Sequence, residues 1–125
     1  MSTITYVIPV YNNQGSIRLT WQAIRELFQD VLSAYDYEII FVDDGSRDAS
    51  YEEMCEIAAE DSKVRTISFS RNFGQLAAII AGYDQACGDA IVSMSADMQD
   101  PAELTVDMIK AWEAGLIEPV LVGPE

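Results

Sequence analysis

Short apolar runs alternate with longer stretches of helical periodicity along the 125-residue chain. Residues 4–10, 38–42 and 91–96 are largely apolar, as buried strands are, and residues 64–69 show a weaker pattern of the same kind. A short run at 120–122 predicts a fifth strand, at an edge of the sheet. Between the strands, apolar residues recur every three or four positions, as on one face of a helix. The alternation predicts an α/β domain with a mainly parallel sheet and helices on both faces.

Two helix starts can be predicted from capping residues. Ser16 is placed to cap the first helix, whose buried apolar face is predicted to extend through Val31 and Leu32. A second start follows the fourth strand, with Asp100 as the N-cap, Pro101 at the first helical position and Glu103 at the third. Strand, acidic turn and helix therefore follow one another in this part of the chain.

The composition excludes several classes of function. Asp and Glu total 21 against 7 Lys and Arg, a net charge of -14, which disfavours binding to nucleic acid. The chain has no His and two distant cysteines, Cys55 and Cys87, so zinc sites, disulfides and Ser-His or Cys-His nucleophiles are not expected. We predict that both thiols are reduced and lie in the core of a cytoplasmic protein. No apolar run approaches the roughly 20 residues of a membrane span, so any membrane contact is expected to be peripheral.

Polar side chains follow each of the first four predicted strands. Because parallel strands end at the same edge of a sheet, these turns should bring together Tyr11, Asp43, Asp44, Arg71 and Asp97. Open α/β sheets bind ligands at that edge. The Asp43–Asp44 pair could accept hydrogen bonds from a nucleobase or ribose, and Arg71 would suit a phosphate. We interpret Asp97 as the residue that binds a metal ion and, through that ion, the phosphates of a nucleotide sugar.

Other sites on this architecture require motifs that the chain lacks. A dinucleotide-binding domain needs G-x-G-x-x-G after a strand, and a P-loop needs G-x-x-x-x-G-K-[ST]; neither is present. A response-regulator receiver carries its acid pair after the first strand, whereas here the pair follows the second.

Four segments, at 7–12, 41–48, 70–74 and 95–101, resemble those of the inverting family-2 glycosyltransferases, in the same order and spacing. The branch that the chain most resembles is the dolichol-phosphate mannose synthase type, which moves sugars from nucleotide donors onto polyprenyl phosphates. The resemblance implies a GT-A fold. It also implies that residues 1–125 form one domain, the N-terminal donor-binding part of a longer enzyme that carries its acceptor half elsewhere.

The resemblance further implies roles for individual residues. Asp97 would be the catalytic residue, acting through Mg²⁺ or Mn²⁺. Ser95 stands where this branch usually has an acid, and Asn13 where it usually has Glu, so the site carries fewer negative charges than is usual. The implied nucleotide-binding residues are Pro9, Tyr11, Asn13, Asp43, Asp44 and Arg71, and the implied metal ligands are Ser95, Asp97 and Gln99.

The resulting hypothesis is a metal-assisted transferase that moves a sugar from a UDP- or GDP-sugar to a polyprenyl phosphate or saccharide acceptor with inversion. The enzyme would contribute to cell-envelope polysaccharide synthesis and lie in the cytoplasm, at the cytoplasmic face of the membrane. The hypothesis also allows a homodimer. Two alternatives remain. One is a non-catalytic nucleotide-binding or partner-binding module derived from a transferase, with the acid lost at Ser95. The other is a nucleotidyltransferase, although only Gly15 and Arg18 lie where its basic, glycine-rich loop would be.

Overall fold

The computed structural model describes residues 2–97, 102–115 and 120–122 and contains a five-stranded parallel sheet in the order β3-β2-β1-β4-β5. The predicted α/β class and the predicted edge strand are both confirmed. The strands are β1 Thr3–Val10, β2 Asp36–Asp43, β3 Val64–Ser68, β4 Ala90–Ser93 and β5 Val120–Val122. The helices are α1 Ser16–Gln29, α2 Ser50–Glu60, α3 Gln75–Gln85 and α4 Leu104–Glu113.

Helices cover both faces of the sheet. The larger core lies between one face and α1, α2 and α4, and α3 packs against the other face over β1 and β2. The central strand β1 is therefore buried on both sides: Tyr6 belongs to the larger core, and Val7 lies against Gly82 of α3. A Cβ atom at Gly82 would lie 2.3 Å from Cγ1 of Val7, so the close approach of α3 requires glycine.

Helix α1 is capped from another helix and not by Ser16, so that prediction was wrong. Its N-cap is Gly15, and no side chain of α1 caps it. The Glu53 carboxylate on α2 accepts hydrogen bonds from the backbone N–H groups of Gly15 at 2.7 Å and Arg18 at 2.8 Å. A carboxylate at this position satisfies free N–H groups and interacts favourably with the helix dipole.

Two side chains that were predicted to be buried are exposed. Helix α1 ends at Gln29, so Val31 lies beyond it and is 55% exposed. Cys87 is exposed in the turn before β4, while Cys55 is partly buried. The prediction of two core thiols was therefore wrong for Cys87.

Helix α4 is tied to the sheet by a buried polar contact. The hydroxyl groups of Tyr6 and Thr105 are 2.7 Å apart, and burial raises the pKa of Tyr6 well above its ordinary value, so the phenol is neutral. The helix begins at Leu104, later than predicted. Asp100 and Pro101, the predicted cap and first residue, lie outside the described residues. In the part of the chain that the structure describes, no helix has the length and apolar character needed to cross a membrane.

A polar cluster lies near the amino end of the sheet, away from the edge that carries the predicted site. Asp61 accepts hydrogen bonds from the Trp21 indole at 2.9 Å and the Tyr37 hydroxyl at 2.5 Å. Burial by itself would raise the pKa of Asp61, but these hydrogen bonds bring that pKa below its ordinary value. Asp61 is therefore a charged anchor for α1 and β2.

Candidate functional site

Four turns lie along the carboxyl edge of the sheet, each between a strand and the next helix. We call them turn 1 (residues 11–15), turn 2 (44–49), turn 3 (69–74) and turn 4 (94–97, its described part). Because β2, β1 and β4 are neighbours in the sheet, turn 1 lies between turns 2 and 4.

Turns 1 and 2 are joined by hydrogen bonds between backbone and side chains. The Asn12 N–H donates to the Ser46 hydroxyl at 3.0 Å, and the Asn12 side-chain oxygen accepts from the Arg47 N–H at 2.9 Å. The Asn13 N–H donates to the Ser50 hydroxyl at 2.9 Å. Asn12 has a φ of +53°, a left-handed conformation that asparagine tolerates better than most residues. The two turns therefore form one hydrogen-bonded unit.

Asp48 strengthens the same unit. Its carboxylate accepts from the Gln14 N–H at 3.2 Å and the Ser50 N–H at 2.9 Å. Burial acts to raise the pKa of Asp48, but hydrogen bonds from Ser50 and Gln14 outweigh it, so the pKa lies below its ordinary value. Asp48 is consequently ionised at neutral pH and holds turn 1 against the start of α2.

Asp44 connects turn 2 to turn 3. Its side chain is buried, with 3% of the residue exposed, and it accepts from the Phe73 N–H at 2.8 Å, the Gly74 N–H at 3.1 Å and the Asn72 side-chain amide at 3.1 Å. The Asn72 amide also lies 3.2 Å from the backbone carbonyl of Asp44. One carboxylate thus fixes the turn that leads into α3.

The backbones of turns 2 and 3 meet at Gly45. This residue has a φ of +75°, and a Cβ atom there would lie 2.4 Å from the carbonyl carbon of Arg71 and 2.5 Å from the nitrogen of Asn72. Both the conformation and the contact therefore require glycine. The side chain of Arg71 lies over the ring of Phe73, with its guanidinium carbon 4.7 Å from the ring centroid.

Turn 4 is positioned by α1. The Ser16 hydroxyl donates to the carbonyl oxygen of Ala96 at 2.6 Å, and the Thr20 hydroxyl lies 3.5 Å from the same oxygen. One residue further on, the Asp97 N–H lies 3.4 Å from the Ser95 hydroxyl. Ser16 was predicted as a cap, and the structure instead places its hydroxyl where it holds the backbone beside Asp97.

A cavity of about 190 Å³ lies between these turns. Six of the predicted site residues line it together with two that were not predicted, Val10 and Gln75. The six predicted residues are Pro9, Tyr11, Asn13, Asp44, Ser95 and Asp97.

Of the remaining predicted residues, Asp43 and Arg71 are not among the described residues that line the cavity. Asp43 is 4% exposed and accepts a hydrogen bond from the Ser46 N–H at 3.2 Å, and Arg71 lies against Phe73. Gln99 lies outside the described residues. Gln75 was not predicted as a site residue. The signal was its position directly after Gly74, the last residue of the segment 70–74, which makes it the first residue of a helix at the binding edge.

The lining is acidic. Asp44 and Asp97 supply carboxylates, and the described residues around the cavity include no Lys or Arg. The described residues also contain no group of three or more His, Cys, Asp or Glu that could hold a metal by itself. The Asp97 carboxylate and Ser95 hydroxyl are nevertheless oxygen donors of the kind that Mg²⁺ and Mn²⁺ prefer, and Mg²⁺ is usually held by one or two carboxylates with waters and substrate phosphates. These residues fit a divalent cation bound together with a diphosphate.

Known proteins resemble this chain in sequence and in backbone. It is 40% identical to the prophage bactoprenol glucosyl transferase homolog of Escherichia coli strain K12, over 90% of this chain and 36% of that protein. It is 47% identical to the undecaprenyl-phosphate 4-deoxy-4-formamido-L-arabinose transferase of Pseudomonas fluorescens strain SBW25, over 80% of this chain and 29% of that protein. The chain therefore spans about a third of the length of these relatives.

The fold is that of a solved mannosyltransferase, PcManGT from Pyrobaculum calidifontis, whose structure was determined in complex with GDP-Man and Mn²⁺. The TM-score is 0.71 at 21% identity, over 86% of this chain and 31% of that one. This likeness confirms the predicted GT-A fold. The family model described as glycosyl transferase family 2 matches residues 5–118, and the chain belongs to that family.

Proposed function

We propose that this chain is the donor-binding part of a glycosyltransferase that moves a sugar from a nucleotide-diphosphate sugar to a polyprenyl phosphate. The observation that carries the proposal is the meeting of Tyr11, Asp44 and Asp97, from three turns far apart in sequence, around one cavity. The names of the two relatives, one for bactoprenol and one for undecaprenyl phosphate, support a polyprenyl phosphate as the acceptor.

The order of the strands suggests how the donor lies. Turn 4, with Ser95 and Asp97, is at the β4 side of the cavity, and Asp44 is at the β2 side. We place the diphosphate and its cation at Asp97 and the nucleoside toward Tyr11 and Asp44. An anionic diphosphate would be repelled by this lining, so a divalent cation is part of the proposal.

The chain's own residues hold and orient the donor in the proposed reaction. Asp97 and Ser95 would hold Mg²⁺ or Mn²⁺, which when bound supplies positive charge to offset the charge on the leaving diphosphate. The acceptor phosphate has a second pKa near 6, by analogy with phosphoryl groups on proteins, and is largely dianionic at neutral pH. Its oxygen attacks the anomeric carbon as the bond to the nucleoside diphosphate breaks, which inverts the configuration. No proton has to be removed from this nucleophile, which is consistent with a chain that has no His.

A lipid acceptor implies that the reaction takes place at a membrane surface. We propose the cytoplasmic face, where nucleotide sugars are available to the enzyme. A role in cell-envelope polysaccharide follows from that acceptor, and a homodimer stays a prediction.

The experiment is a calorimetric titration of UDP-sugars and GDP-sugars, with and without Mn²⁺. We expect binding that depends on Mn²⁺ and falls at least about tenfold in Asp97→Ala, because a direct metal ligand is lost. The matched control is Asp84→Ala, which removes an exposed acid at the far end of α3. Affinity that is independent of the metal, or that Asp97→Ala leaves unchanged, would contradict the proposal.

The second candidate is a non-catalytic nucleotide-binding module, which the serine at position 95 favours. Turnover of a radiolabelled nucleotide sugar onto a polyprenyl phosphate by the full-length protein would exclude it. The two residues that a nucleotidyltransferase loop would use are already engaged: the Arg18 guanidinium pairs with Glu60 at 2.7 Å, and the Gly15 N–H donates to the Glu53 carboxylate.

A further inference from the structure

Gln75 is an uncommitted hydrogen-bonding side chain in the cavity. It is the first residue of α3, it is exposed, and it is the one α3 residue among the described residues that line the cavity. Within the described part of the chain its side-chain amide has no hydrogen-bond partner. An amide carries both a donor and an acceptor and can therefore pair with the edge of a nucleobase.

Asp44, the neighbouring polar side chain at this end of the cavity, is already engaged. Its Oδ1 accepts from the N–H groups of Phe73 and Gly74, and its Oδ2 accepts from Asn72 and Gly74. A carboxylate has about four acceptor positions, so little capacity remains for a ligand. Asp44 instead fixes the residue directly before Gln75 and so determines where that side chain lies.

From this geometry we infer that Gln75 determines which nucleobase the site accepts, with Asp44 as the residue that positions it. The inference rests on the proposed function, because it places the base at the β2 side of the cavity when the diphosphate is at Asp97. The ligand class is a nucleoside diphosphate whose base offers a matching donor and acceptor to an amide.

The test compares the affinities of UDP, CDP, GDP and ADP at a saturating concentration of Mn²⁺, for the full chain and for Gln75→Ala. We expect the wild-type chain to prefer one base. In Gln75→Ala the ratio between the best and the poorest base should fall about tenfold, the effect of one lost hydrogen-bonded pair. The change in affinity on removing Mn²⁺ should stay as in the wild type, because Asp97 is untouched.

Two further variants sharpen the result. Gln75→Glu keeps the shape of the side chain but replaces the amide donor with an acceptor, so it should change which base is preferred. Gln85→Ala removes the same residue type from the other end of α3 and should leave the preference unchanged. A preference that survives Gln75→Ala, an equal loss for all four nucleotides, or a wild type without preference would overturn the inference and leave the proposed function in place. A wild-type chain that binds none of the four in the presence of Mn²⁺ would overturn both.

Discussion

Replacing Asp44 with alanine tests whether this carboxylate holds turn 3 in place or only contacts a ligand. The side chain accepts hydrogen bonds from three donors of turn 3, and the residue is 3% exposed. Removing it leaves the N–H groups of Phe73 and Gly74 without their acceptor. Because the two turns also meet at Gly45, their separation should change.

The expected magnitude follows from these three bonds. A hydrogen bond to a charged group contributes about 1.5–3 kcal/mol, so three of them could contribute roughly 4.5–9 kcal/mol. Asp44 itself lines a cavity that water can enter. Water should therefore replace part of the lost bonding, and we expect a loss of about 3 kcal/mol in the free energy of unfolding. Asp44→Asn keeps one oxygen acceptor, but its remaining hydrogen bonds are neutral and about half as strong as those to a carboxylate. We therefore expect it to cost about half as much as Asp44→Ala.

Urea unfolding followed by circular dichroism measures this loss. With a slope of about 2 kcal/mol per molar, 3 kcal/mol moves the midpoint by about 1.5 M. The matched control is Asp43→Ala, because Asp43 is adjacent and buried to a similar extent, at 4% exposed, and accepts one backbone hydrogen bond. We expect a shift of about 0.5 M for the control. The reasoning is refuted if the two variants shift the midpoint equally, or if Asp44→Ala weakens nucleotide binding without loss of stability.

Three further substitutions test other parts of the structure. Gly45→Ala should lower the free energy of unfolding, measured by thermal unfolding, by more than about 2 kcal/mol, because backbone strain adds to a backbone clash. The control is Gly15→Ala, which is also at positive φ but whose Cβ atom would have no described neighbour within 4 Å beyond the adjoining residues, and it should cost about 1 kcal/mol. Equal losses would contradict the role of the contact at Gly45. Tyr6→Phe should cost about 1 kcal/mol in urea unfolding by removing the bond to Thr105, and an unchanged midpoint would show that this bond contributes nothing. The pKa of Asp61 is lower in the folded state, so its ionised form contributes stability above the unfolded pKa of about 3.9 and loses it as the pH falls through the folded value. Asp61→Asn should therefore be less stable than the wild type at pH 7, by a difference that narrows below about pH 4, and a difference that is constant with pH would refute this.

The sequence predicts most of the fold because its strands and helices have strong local signals. Runs such as 38–42 have few polar residues, and even the three-residue strand at 120–122 is apolar and flanked by proline. Parallel pairing then follows from the spacing between strands. The local pattern does not show which distant side chain caps the end of a helix. Glu53 caps α1 from more than 30 positions away, so the nearby Ser16 was the natural but wrong prediction.

The candidate site was predictable to a similar degree and for a related reason. Tyr11 and Asp44 directly follow strands, and Asp97 lies four residues after one. The carboxyl ends of parallel strands lie at one edge of the sheet, independently of the side chains that follow them. The hydrogen-bond partner of each side chain could not be predicted, because it depends on which donor lies within about 3 Å in the folded chain. No sequence pattern shows that Asp44 binds turn 3 while Gln75 enters the cavity with its amide uncommitted.

The hydrogen bonds between turns have a consequence for any experiment on this site. Turns 1, 2 and 3 hold one another through backbone N–H groups and neighbouring side chains, and turn 4 is held by Ser16 of α1, so a change in one turn moves the next. Loss of binding in a variant therefore does not by itself identify a ligand contact. The separate roles require separate measurements: unfolding free energy for Asp44, metal dependence for Asp97 and base preference for Gln75. Replacing a residue that positions a neighbour lowers the unfolding free energy together with any effect on binding. Replacing a residue that touches the ligand changes the metal dependence or the base preference by more than its effect on stability accounts for.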